Sequence, residues 1–487
     1  MTWTHDGLEA VIGLEVHAEL LTRSKIFCAC SAAFGTPPNT NVCPVCLGMP
    51  GVLPVLNRRV VEFAIRAGLA TNCDIAPHSR FARKNYFYPD LPKGYQISMY
   101  EQPLCTNGWL EILVEGETKR VRLTRIHMEE DTGKNIHDAQ VAGSLVDFNR
   151  SGVPLLEIVS EPDLGSAAEA GAYLRSLRSI LQYLEICDGN MEEGSFRCDA
   201  NVSVRPIGSS TLGTKVEIKN MNSFRNVEHA ITYELGRQAR AIAAGERLVQ
   251  ETRLWDAERE ETRPMRSKEY AHDYRYFPEP DLLPLAVPQP WIDDVRATMP
   301  ELPGPRRRRL EREHGLSSYD ADVLTQRKDV ADFFEAAVAA GGSPKETANW
   351  ITSELLRVVR EEKLDDALVI RDWPLTPSQL ANLSVLVERG TINRNTAKSL
   401  LPRLLRTGAD PEALVAAEGL AQVSDRGALE RAVGEVLAKY PEQVEQFRAG
   451  KDRVIGFLVG QVMKSTGGKA NPQLVQELLR AALAQTS

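Results

Sequence analysis

The sequence predicts an α+β fold in residues 1–294, followed by two all-helical domains at residues 295–408 and 409–487. In the first part, strand-like and helix-like patterns are interspersed without regular βαβ order, which favours an α+β arrangement. A proline-rich stretch at residues 278–305 is typical of a linker. Beyond it the patterns are helical, and helix-capping signals recur.

Alternating polar and apolar side chains predict the strands of the first part. In residues 11–20, Glu15 and His17 share one face, while apolar residues form the other. Residues 198–205 alternate in the same way, and a turn-rich segment separates them from a third alternation at residues 215–219. This order predicts a β-hairpin with one strongly polar face.

Helices are predicted from periodicity and from capping residues. Periodic stretches occur at 57–70, 166–186 and 226–244. Farther along, Ser343-Pro344-Lys345-Glu346 and Thr376-Pro377-Ser378-Gln379 each combine a capping box with proline at the first helical position. Gly408, followed by Asp410-Pro411, indicates the boundary between the two helical domains.

The bulk composition is ordinary for a globular protein. The chain has 487 residues and a formal net charge of −8. No apolar run approaches the ~18 residues that span a bilayer, and the N-terminal segment lacks the features of a signal peptide. Its eight cysteines fit a reducing cytoplasm better than a disulfide framework. We therefore expect a cytoplasmic protein without a membrane segment, whose contacts with nucleic acid are confined to a local basic patch.

Four cysteines near the N-terminus, Cys28-x-Cys30 and Cys43-x-x-Cys46, form the most specific short motif. Two closely spaced pairs can supply four thiolates to a tetrahedral Zn²⁺ ion, leaving no open coordination position. Such a site is structural. The motif therefore predicts a loop that is held in place by zinc, but it does not indicate which reaction the protein catalyses. The alternative is four unrelated or buried thiols.

A second constellation consists of carboxylates and an imidazole in separate segments. Glu15 and His17 share a strand face, and an acidic run that includes Glu130 follows His127. Glu157 interrupts an otherwise apolar strand, where an unpaired charge would be costly to bury. Together they predict an oxygen-rich Mg²⁺ site. The alternatives are a hydrated strand face for the first pair and a solvated loop for the acidic run.

Cations in aromatic segments and on the hairpin provide candidate phosphate ligands. Lys84 and Arg275 each lie among tyrosines and turn residues, and Arg205 and Lys219 lie on the polar face of the hairpin. Carboxylates for Mg²⁺ together with cations for phosphate, without a nucleophile, suit ATP-dependent activation of a carboxylate. The alternative is a pair of ordered loops held together by their aromatic residues.

The C-terminal part carries a local excess of positive charge in an acidic protein. Between residues 448 and 469, Asp452 is the single acidic residue. A contact with the tRNA backbone and a solvated helical surface are both compatible with this patch. Its basic members are Arg448, Lys451, Arg453, Lys464 and Lys469.

Long strings over essentially the whole chain resemble the GatB/GatE family, the B subunits of tRNA-dependent Asp/Glu amidotransferases. The resemblance begins with Ile12-Gly13-Leu14-Glu15-Val16-His17 and the cysteine quartet. It continues through residues 84–98, 127–134, 150–163, 189–205, 217–225 and 460–472. The chain has no room for the large extra domain of the archaeal sister subunits, so it resembles the bacterial or organellar type.

The resemblance implies a fold and an activity. The fold is a glutamine-synthetase-like cradle, followed by a helical domain and a tail domain that contacts tRNA. The activity is phosphorylation by ATP of the side-chain carboxylate of misacylated Glu-tRNA(Gln) or Asp-tRNA(Asn), after which ammonia displaces the phosphate. The ammonia comes from a glutaminase A subunit, and a small C subunit completes a heterotrimer. A Gly-x-Cys-x-Gly glutaminase motif is missing from this chain, which agrees with that division of labour.

The resemblance also implies site residues. It assigns Mg²⁺ ligation to His17, Glu130 and Glu157, with Glu15 and Glu217 as ligands of a second site, and these five are the expected catalytic residues. Two other functions are weighed against this one. A non-catalytic tRNA adaptor would need neither a carboxylate in an apolar strand, as at Glu157, nor the polar face of the hairpin. A stand-alone ligase for small molecules would not need the helical tail. The sequence does not decide between the two misacylated tRNAs.

Overall fold

A computed structural model of the chain describes residues 2–136, 143–267, 274–361, 373–421, 426–467 and 470–485. It contains two compact units, Met1–Arg306 and Arg307–Ser487. The first unit combines a large mixed sheet with helices, and every element described after it is helical, as the sequence predicts for the fold class. The finer division at residues 294 and 408 stays a prediction.

The first unit contains the strands that position the site. Its described strands are β1 (Thr4–His5), β2 (Leu8–Glu19), β3 (Asp74–Ile75), β4 (His78–Asn85), β5 (Tyr95–Gln102), β6 (Cys105–Val114), β7 (Glu117–Glu130), β8 (Lys134–Ile136), β9 (Leu145–Asp147), β10 (Pro154–Ser160), β11 (Phe196–Pro206), β12 (Val216–Met221), β13 (Glu251–Asp256), β14 (Glu261–Ser267), β15 (Phe277–Pro278) and β16 (Leu285–Ala286). Its described helices are α1 (Arg58–Ala70), α2 (Ala167–Tyr183), α3 (Phe224–Ala243), α4 (Gln289–Ala297) and the start of α5 (Pro303–His314).

The sheet places β2 at its centre. The strand order is β14-β13-β12-β11-β2-β10-β7-β5-β4-β15, and β8 pairs with β9 in a separate small sheet. Most neighbours are antiparallel, whereas β12 and β13 are parallel, so the sheet is mixed. Apolar side chains of β2, β7, β10 and β11 share one buried core with those of α1, α2 and α3. The helices therefore cover one face of the sheet, and the polar side chains of the same strands lie on the other face.

The predicted strands and helices of the first unit are confirmed, whereas the predicted linker is wrong. The hairpin predicted at 198–219 is the antiparallel pair β11 and β12. Residues 278–305 are not a linker, because they contain β15, β16 and α4, and Ile292 and Val295 join the apolar core. Three of the eight prolines there lie at helix starts: Pro288 is the N-cap of α4, Pro290 lies in its first turn, and Pro303 begins α5.

The second unit is built from helices around two apolar clusters. One cluster draws its residues from positions 310–415 and the other from 429–483. Among the described residues its elements are α6 (Ser318–Thr325), α7 (Lys328–Ala339), α8 (Pro344–Asn349), a π-helix (Trp350–Leu355), α9 (Leu356–Glu361), α10 (Pro377–Glu388), α11 (Arg394–Thr407), α12 (Pro411–Ala417), α13 (Arg426–Lys439), α14 (Pro441–Arg448), α15 (Val454–Ser465) and α16 (Pro472–Gln485).

The helix starts of the second unit test the predicted caps. The capping box of Thr376 and Gln379 is present at the start of α10. Ser343 precedes α8, as predicted, but its side chain makes no capping hydrogen bond. Gly408 ends α11 with a φ of +60°, a conformation that glycine adopts readily. Within the described ranges, no helix combines the length and the apolar character needed to cross a membrane.

Candidate active site

The central strands bring polar side chains from distant parts of the chain to one face of the sheet. Glu157 of β10 is the Cα partner of His17 in β2 and of His127 in β7. Side chains alternate between faces along a strand, so Glu15 lies beside His17 on this face and Glu129 lies beside His127. The shared face of Glu15 and His17 agrees with the alternation in the sequence.

Five of these side chains form what we call the carboxylate cluster: Glu15, His17, Glu129, Glu157 and Asp199. The His17 Nε2 atom lies 3.6 Å from Glu157 Oε2 and 3.8 Å from Glu129 Oε1. It also lies 3.7 Å from Glu15 Oε1. Two overlapping sets of potential metal ligands result, namely His17 with Glu129 and Glu157, and His17 with Glu15 and Asp199, with ligand atoms within 4.8 Å of one another in each set.

The geometry of the first set is compatible with Mg²⁺. Magnesium binds its ligands in an octahedron at about 2.1 Å, so neighbouring ligands are about 3.0 Å apart and opposite ligands about 4.2 Å apart. The separations of 3.6 and 3.8 Å from His17 Nε2 lie between these limits. Oxygen-rich donor sets with one imidazole suit a hard divalent cation, and small shifts of the side chains would complete the coordination.

The acidic residue that the structure brings to His17 is Glu129, not Glu130. The Glu130 side chain points to the other face of β7, where it accepts a hydrogen bond from the Ile97 amide at 2.9 Å and pairs with Lys93. The physical reason is that β7 continues without a break through Glu130, so neighbouring acids alternate between faces. Extending the alternation from His127 would have identified Glu129. The interpretation of this acidic run as a solvated loop is wrong, because Glu129, Glu130 and Asp131 are buried.

A second correction concerns Glu217. The structure places Asp199 of β11 opposite Glu15, and Asp199 forms an ion pair with Lys219. Glu217 lies one strand farther out, where it accepts a hydrogen bond from Thr252 Oγ1 at 2.8 Å. Its link to the cluster is indirect, because its Oε1 lies 3.6 Å from the Nζ of Lys219. Asp199 was on the polar hairpin face predicted from the sequence, so residue alternation was the signal for it.

Opposite charges in and beside the carboxylate cluster shift the pKa values of its members. Burial would lower the pKa of His17, but the Glu157 carboxylate, followed by Glu15 and Glu129, raises it to about 9. Burial would raise the pKa of Glu157, yet the contact with His17, the charge of that ring and the Lys84 ammonium hold it well below its usual range. Glu157 is therefore ionised at neutral pH, as a ligand for a cation must be.

Two of the four candidate phosphate ligands lie beside the cluster. Burial opposes the charge of Lys84, but the carboxylates of Glu129 and Glu157 outweigh it and raise the pKa of this lysine. Its ammonium lies 5.1 Å from the centre of the Tyr274 ring. Lys219 is on the opposite side of the cluster, in contact with Asp199. Both lysines are thus charged and lie next to carboxylates of the cluster.

Among the described residues, the other two candidates make no contact with the cluster. Arg205 pairs with Glu9 at 2.8 Å near the end of β11. It lies six positions along the extended strand from Asp199, or about 20 Å away. Arg275 is exposed and has a left-handed φ of +46°. Its carbonyl oxygen accepts a hydrogen bond from Asn85 Nδ2 at 2.8 Å.

Sequence reasoning missed Arg125, which contacts the cluster directly. Its Nη2 donates to Glu157 Oε1 at 2.9 Å, and its Nε donates to His127 Nδ1 at 3.3 Å. On the other side its guanidinium lies 4.6 Å from the centre of the Tyr100 ring. The alternation that places His127 and Glu129 on this face includes Arg125, so the same signal was available.

The four cysteines of the predicted zinc motif come together. One sulfur from each of Cys28, Cys30, Cys43 and Cys46 lies within 4.8 Å of the other three, and the last two are 3.9 Å apart. Four thiolates at about 2.3 Å from a tetrahedral zinc ion are about 3.8 Å apart, so the spacing fits this ion.

A buried lysine next to the cysteines favours a thiolate at Cys46. Lys25 is fully buried, and its ammonium contacts the carbonyl oxygens of Asn41 at 2.7 Å and Phe148 at 3.3 Å. Its remaining contact is Cys46 Sγ at 3.6 Å. A contact with Cys28, then Cys43 and the charge of Lys25, lowers the pKa of Cys46 to about 4 against the effect of burial. The lysine thus has a sulfur anion as its counter-charge.

The basic residues of the tail are accessible. The exposed ones are Arg448 at the end of α14, Lys451, Arg453 just before α15, and Lys464 within α15. Lys469 lies outside the described residues. Exposure alone suits both the tRNA contact and the solvated surface.

Comparison with known proteins assigns the chain to a family. Residues 10–293, which include the whole carboxylate cluster and the four cysteines, match the GatB/GatE catalytic domain. The chain belongs to the GatB/GatE family. Residues 332–483 of the chain match a second model of the same family, the GatB domain.

Full-length relatives agree with that assignment. A protein of Thermodesulfovibrio yellowstonii is 59% identical over 471 residues, which cover 97% of this chain and 98% of the relative. One of Geobacter sulfurreducens is 58% identical over 479 residues, covering 98% and 99%. One of Solidesulfovibrio magneticus is 57% identical over 475 residues, with the same coverage. Each is named as the B subunit of an aspartyl/glutamyl-tRNA(Asn/Gln) amidotransferase.

Proposed function

We propose that this chain is the carboxylate-activating subunit of an amidotransferase that converts misacylated Glu-tRNA(Gln), Asp-tRNA(Asn) or both to the correct amide. The observation that carries the proposal is the carboxylate cluster in a GatB/GatE catalytic domain, with Lys84 and Lys219 beside it. Full-length identity to proteins named as amidotransferase B subunits supports the same conclusion. The face of the sheet that carries the cluster would then serve as the glutamine-synthetase-like cradle.

The reaction consists of two displacements. A side-chain carboxylate oxygen of the aminoacyl group attacks the γ-phosphorus of ATP, the bond to ADP breaks, and an acyl phosphate forms. Ammonia then attacks the acyl carbon, the C–O bond to phosphate breaks, and the amide forms with loss of a proton. Neither step needs a protein nucleophile, so the site has to provide orientation and charge neutralisation.

Each part of the cluster has a role in this scheme. His17, Glu129 and Glu157 would hold a Mg²⁺ ion, and Glu15 with Asp199 would complete a second set of ligands. A metal ion bound there would neutralise phosphate charge and orient the transferring phosphoryl group. Lys84 and Lys219 lie on either side of the cluster and would bind the phosphate oxygens as point charges.

The remaining assignments concern zinc, tRNA and partner subunits. Cys28, Cys30, Cys43 and Cys46 would bind a structural Zn²⁺ ion that holds their loop, and Cys43→Ser should lose it. The exposed cations at the end of α14, in the segment that follows it and in α15 would contact the tRNA backbone. A glutaminase A subunit and a small C subunit would supply ammonia and complete a cytoplasmic heterotrimer.

The test is amide formation by the reconstituted complex. We expect the chain, together with A and C subunits, to convert Glu-tRNA(Gln), Asp-tRNA(Asn) or both in the presence of ATP, Mg²⁺ and glutamine. Assaying both substrates separately decides which is used. Failure with both tRNAs, from a complex whose glutaminase is active, would contradict the proposal.

A further inference from the structure

Two histidines face the same carboxylates from opposite sides. His17 Nε2 and His127 Nε2 each lie 3.6 Å from Glu157 Oε2. Both also approach Glu129: His17 Nε2 lies 3.8 Å from its Oε1, and His127 Nε2 lies 3.6 Å from its Oε2. Distances alone would let either imidazole bind a metal ion together with these carboxylates.

From Arg125 we infer that His127 is not a metal ligand but a positioning residue, which donates its Nε2–H to the metal-binding carboxylates. The inference rests on the proposed Mg²⁺ site and deepens it, since it separates the roles of the two histidines. Arg125 fixes the tautomer of His127. His17 is left as the nitrogen ligand, and a metal bound to its Nε2 would displace the proton from that atom.

The hydrogen bond from Arg125 decides the tautomer. A guanidinium has only donors and keeps its charge at any physiological pH. Its Nε donates to His127 Nδ1 at 3.3 Å, so Nδ1 must supply the lone pair and the ring proton must be on Nε2. A protonated nitrogen has no lone pair for a metal. The Nε2 atom of His127 is therefore a donor where it faces the cluster.

Arg125 is held firmly enough to impose this choice. Its Nη2 donates to Glu157 Oε1 at 2.9 Å, while the Tyr100 ring lies 4.6 Å from the guanidinium on the other side. Tyr100 also meets His127 edge to face, with ring centres 6.3 Å apart, and stacks on Tyr276 at 4.9 Å. The imidazole and the guanidinium are thus packed against one aromatic ring.

Two buried atoms without partners indicate where the proton points. Among the described residues, neither His127 Nε2 nor Glu129 Oε2 has a hydrogen-bond partner, and the His127 side chain is fully buried. They face each other at 3.6 Å, so an approach of about 0.6 Å would join them in a hydrogen bond. Contraction of the carboxylates around a cation would supply that movement.

The result is a division of the carboxylate oxygens. Arg125 engages Glu157 Oε1. His127 Nε2 is 3.6 Å from both Glu129 Oε2 and Glu157 Oε2, and of these two oxygens Glu129 Oε2 is the one that lacks a hydrogen-bond partner among the described residues. Glu157 Oε2 and Glu129 Oε1 are then the oxygens that remain directed at His17. Each carboxylate is held so that it presents one oxygen to a metal. Loss of such supporting contacts typically weakens metal binding by about 10–100-fold.

Mn²⁺ in place of Mg²⁺ provides a spectroscopic test. Electron spin-echo envelope modulation detects the ¹⁴N of an imidazole bound to Mn²⁺. In the reconstituted complex we expect modulation from one directly bound histidine nitrogen, which His17→Gln abolishes and His127→Gln preserves. Loss of the modulation in His127→Gln, or its persistence in His17→Gln, would overturn the inference. If wild type does not bind Mn²⁺, or if Glu157→Gln binds Mn²⁺ as wild type does, the proposed metal site itself is contradicted.

The donor role predicts a rescue pattern in metal affinity. His127→Leu should raise the Mn²⁺ Kd by about 10–100-fold. His127→Gln, whose amide N–H can replace the Nε2–H, should recover most of that loss. Equal losses in the two variants would contradict a donor role. If His127→Leu fails to fold, the modulation experiment on His127→Gln still decides the question.

Discussion

Glu157 and His17 are directly opposite each other on neighbouring antiparallel strands, with Oε2 and Nε2 3.6 Å apart. Their contact joins segments separated by 140 residues of sequence. Sheet register alone creates it, because a slip by one residue would turn Glu157 into the apolar core. The carboxylate cluster is therefore a property of the paired strands β2, β10 and β7 and not of a single motif.

The correction at β7 gives the first prediction. Glu129→Gln should weaken Mn²⁺ binding by at least about tenfold, because it removes a carboxylate of the cluster. Glu130→Gln should leave Mn²⁺ affinity unchanged, since its side chain contacts Lys93 and the Ile97 amide on the other face. Titration of Mn²⁺ by electron paramagnetic resonance measures both constants. A larger effect from Glu130→Gln than from Glu129→Gln would contradict the assignment.

Lys25 gives the second prediction. Its ammonium is the charged neighbour of the Cys46 sulfur and is fully buried. Lys25→Met keeps an unbranched stem but removes the charge, and it should lower zinc affinity by about 10–100-fold. Competition with a chromophoric chelator measures this change. Lys134→Met, at an exposed lysine, is the control, and equal zinc affinity in the two variants would show that Lys25 does not support the site.

Glu19 gives a prediction about pH. Burial first, and then the neighbouring Asp131, raise the pKa of Glu19 from 4.5 to about 8. A raised folded-state pKa contributes stability that is full below pH 4.5 and is lost as pH rises through 8. Glu19→Gln cannot ionise. Its free energy of unfolding should therefore increase relative to that of wild type between pH 5 and pH 8. The increase is at most about 1.4 kcal/mol for each pH unit between the unfolded and folded pKa values of Glu19.

Urea denaturation of both proteins at a series of pH values measures this difference. Glu117→Gln, at an exposed strand end, is the control and should follow the wild-type profile. Parallel profiles for wild type and Glu19→Gln would refute the prediction.

The tail cations give the fourth prediction. Arg453→Ala combined with Lys464→Ala should weaken tRNA binding, since each exposed cation would lose a phosphate contact. The slope of log affinity against log salt should become shallower by about 1.4–1.8 in total. Filter binding over a salt series measures this slope. Arg389→Ala, an exposed cation outside the tail, is the control, and an unchanged slope in the double variant would favour the solvated-surface interpretation.

The sequence predicted the parts of the site that depend on local pattern. Alternation placed Glu15 and His17 on one face, and an acid in an apolar strand identified Glu157. Cysteine spacing identified the quartet. These signals are contained within single segments, where residue type and period are sufficient.

The missed parts depend on information that single segments do not contain. Asp199 was visible on a polar strand face, but its position opposite Glu15 follows from the pairing of β11 with β2. Arg205 shares that face and yet lies beside Glu9, because position along the strand decides which partners it meets. The linker prediction for residues 278–305 failed for another reason. Pro288, Pro290 and Pro303 occupy helix starts, and the first of these helices depends on tertiary packing for its stability.

The most direct test of the account is tRNA-dependent ATP cleavage by the complex with its A and C subunits. We predict that wild type cleaves ATP only with misacylated tRNA and that Glu157→Gln abolishes this cleavage while glutaminase activity persists. Glu117→Gln should behave as wild type. Full ATP cleavage by Glu157→Gln would contradict the role of the carboxylate cluster. No tRNA-dependent cleavage by wild type would instead identify the chain as a tRNA adaptor.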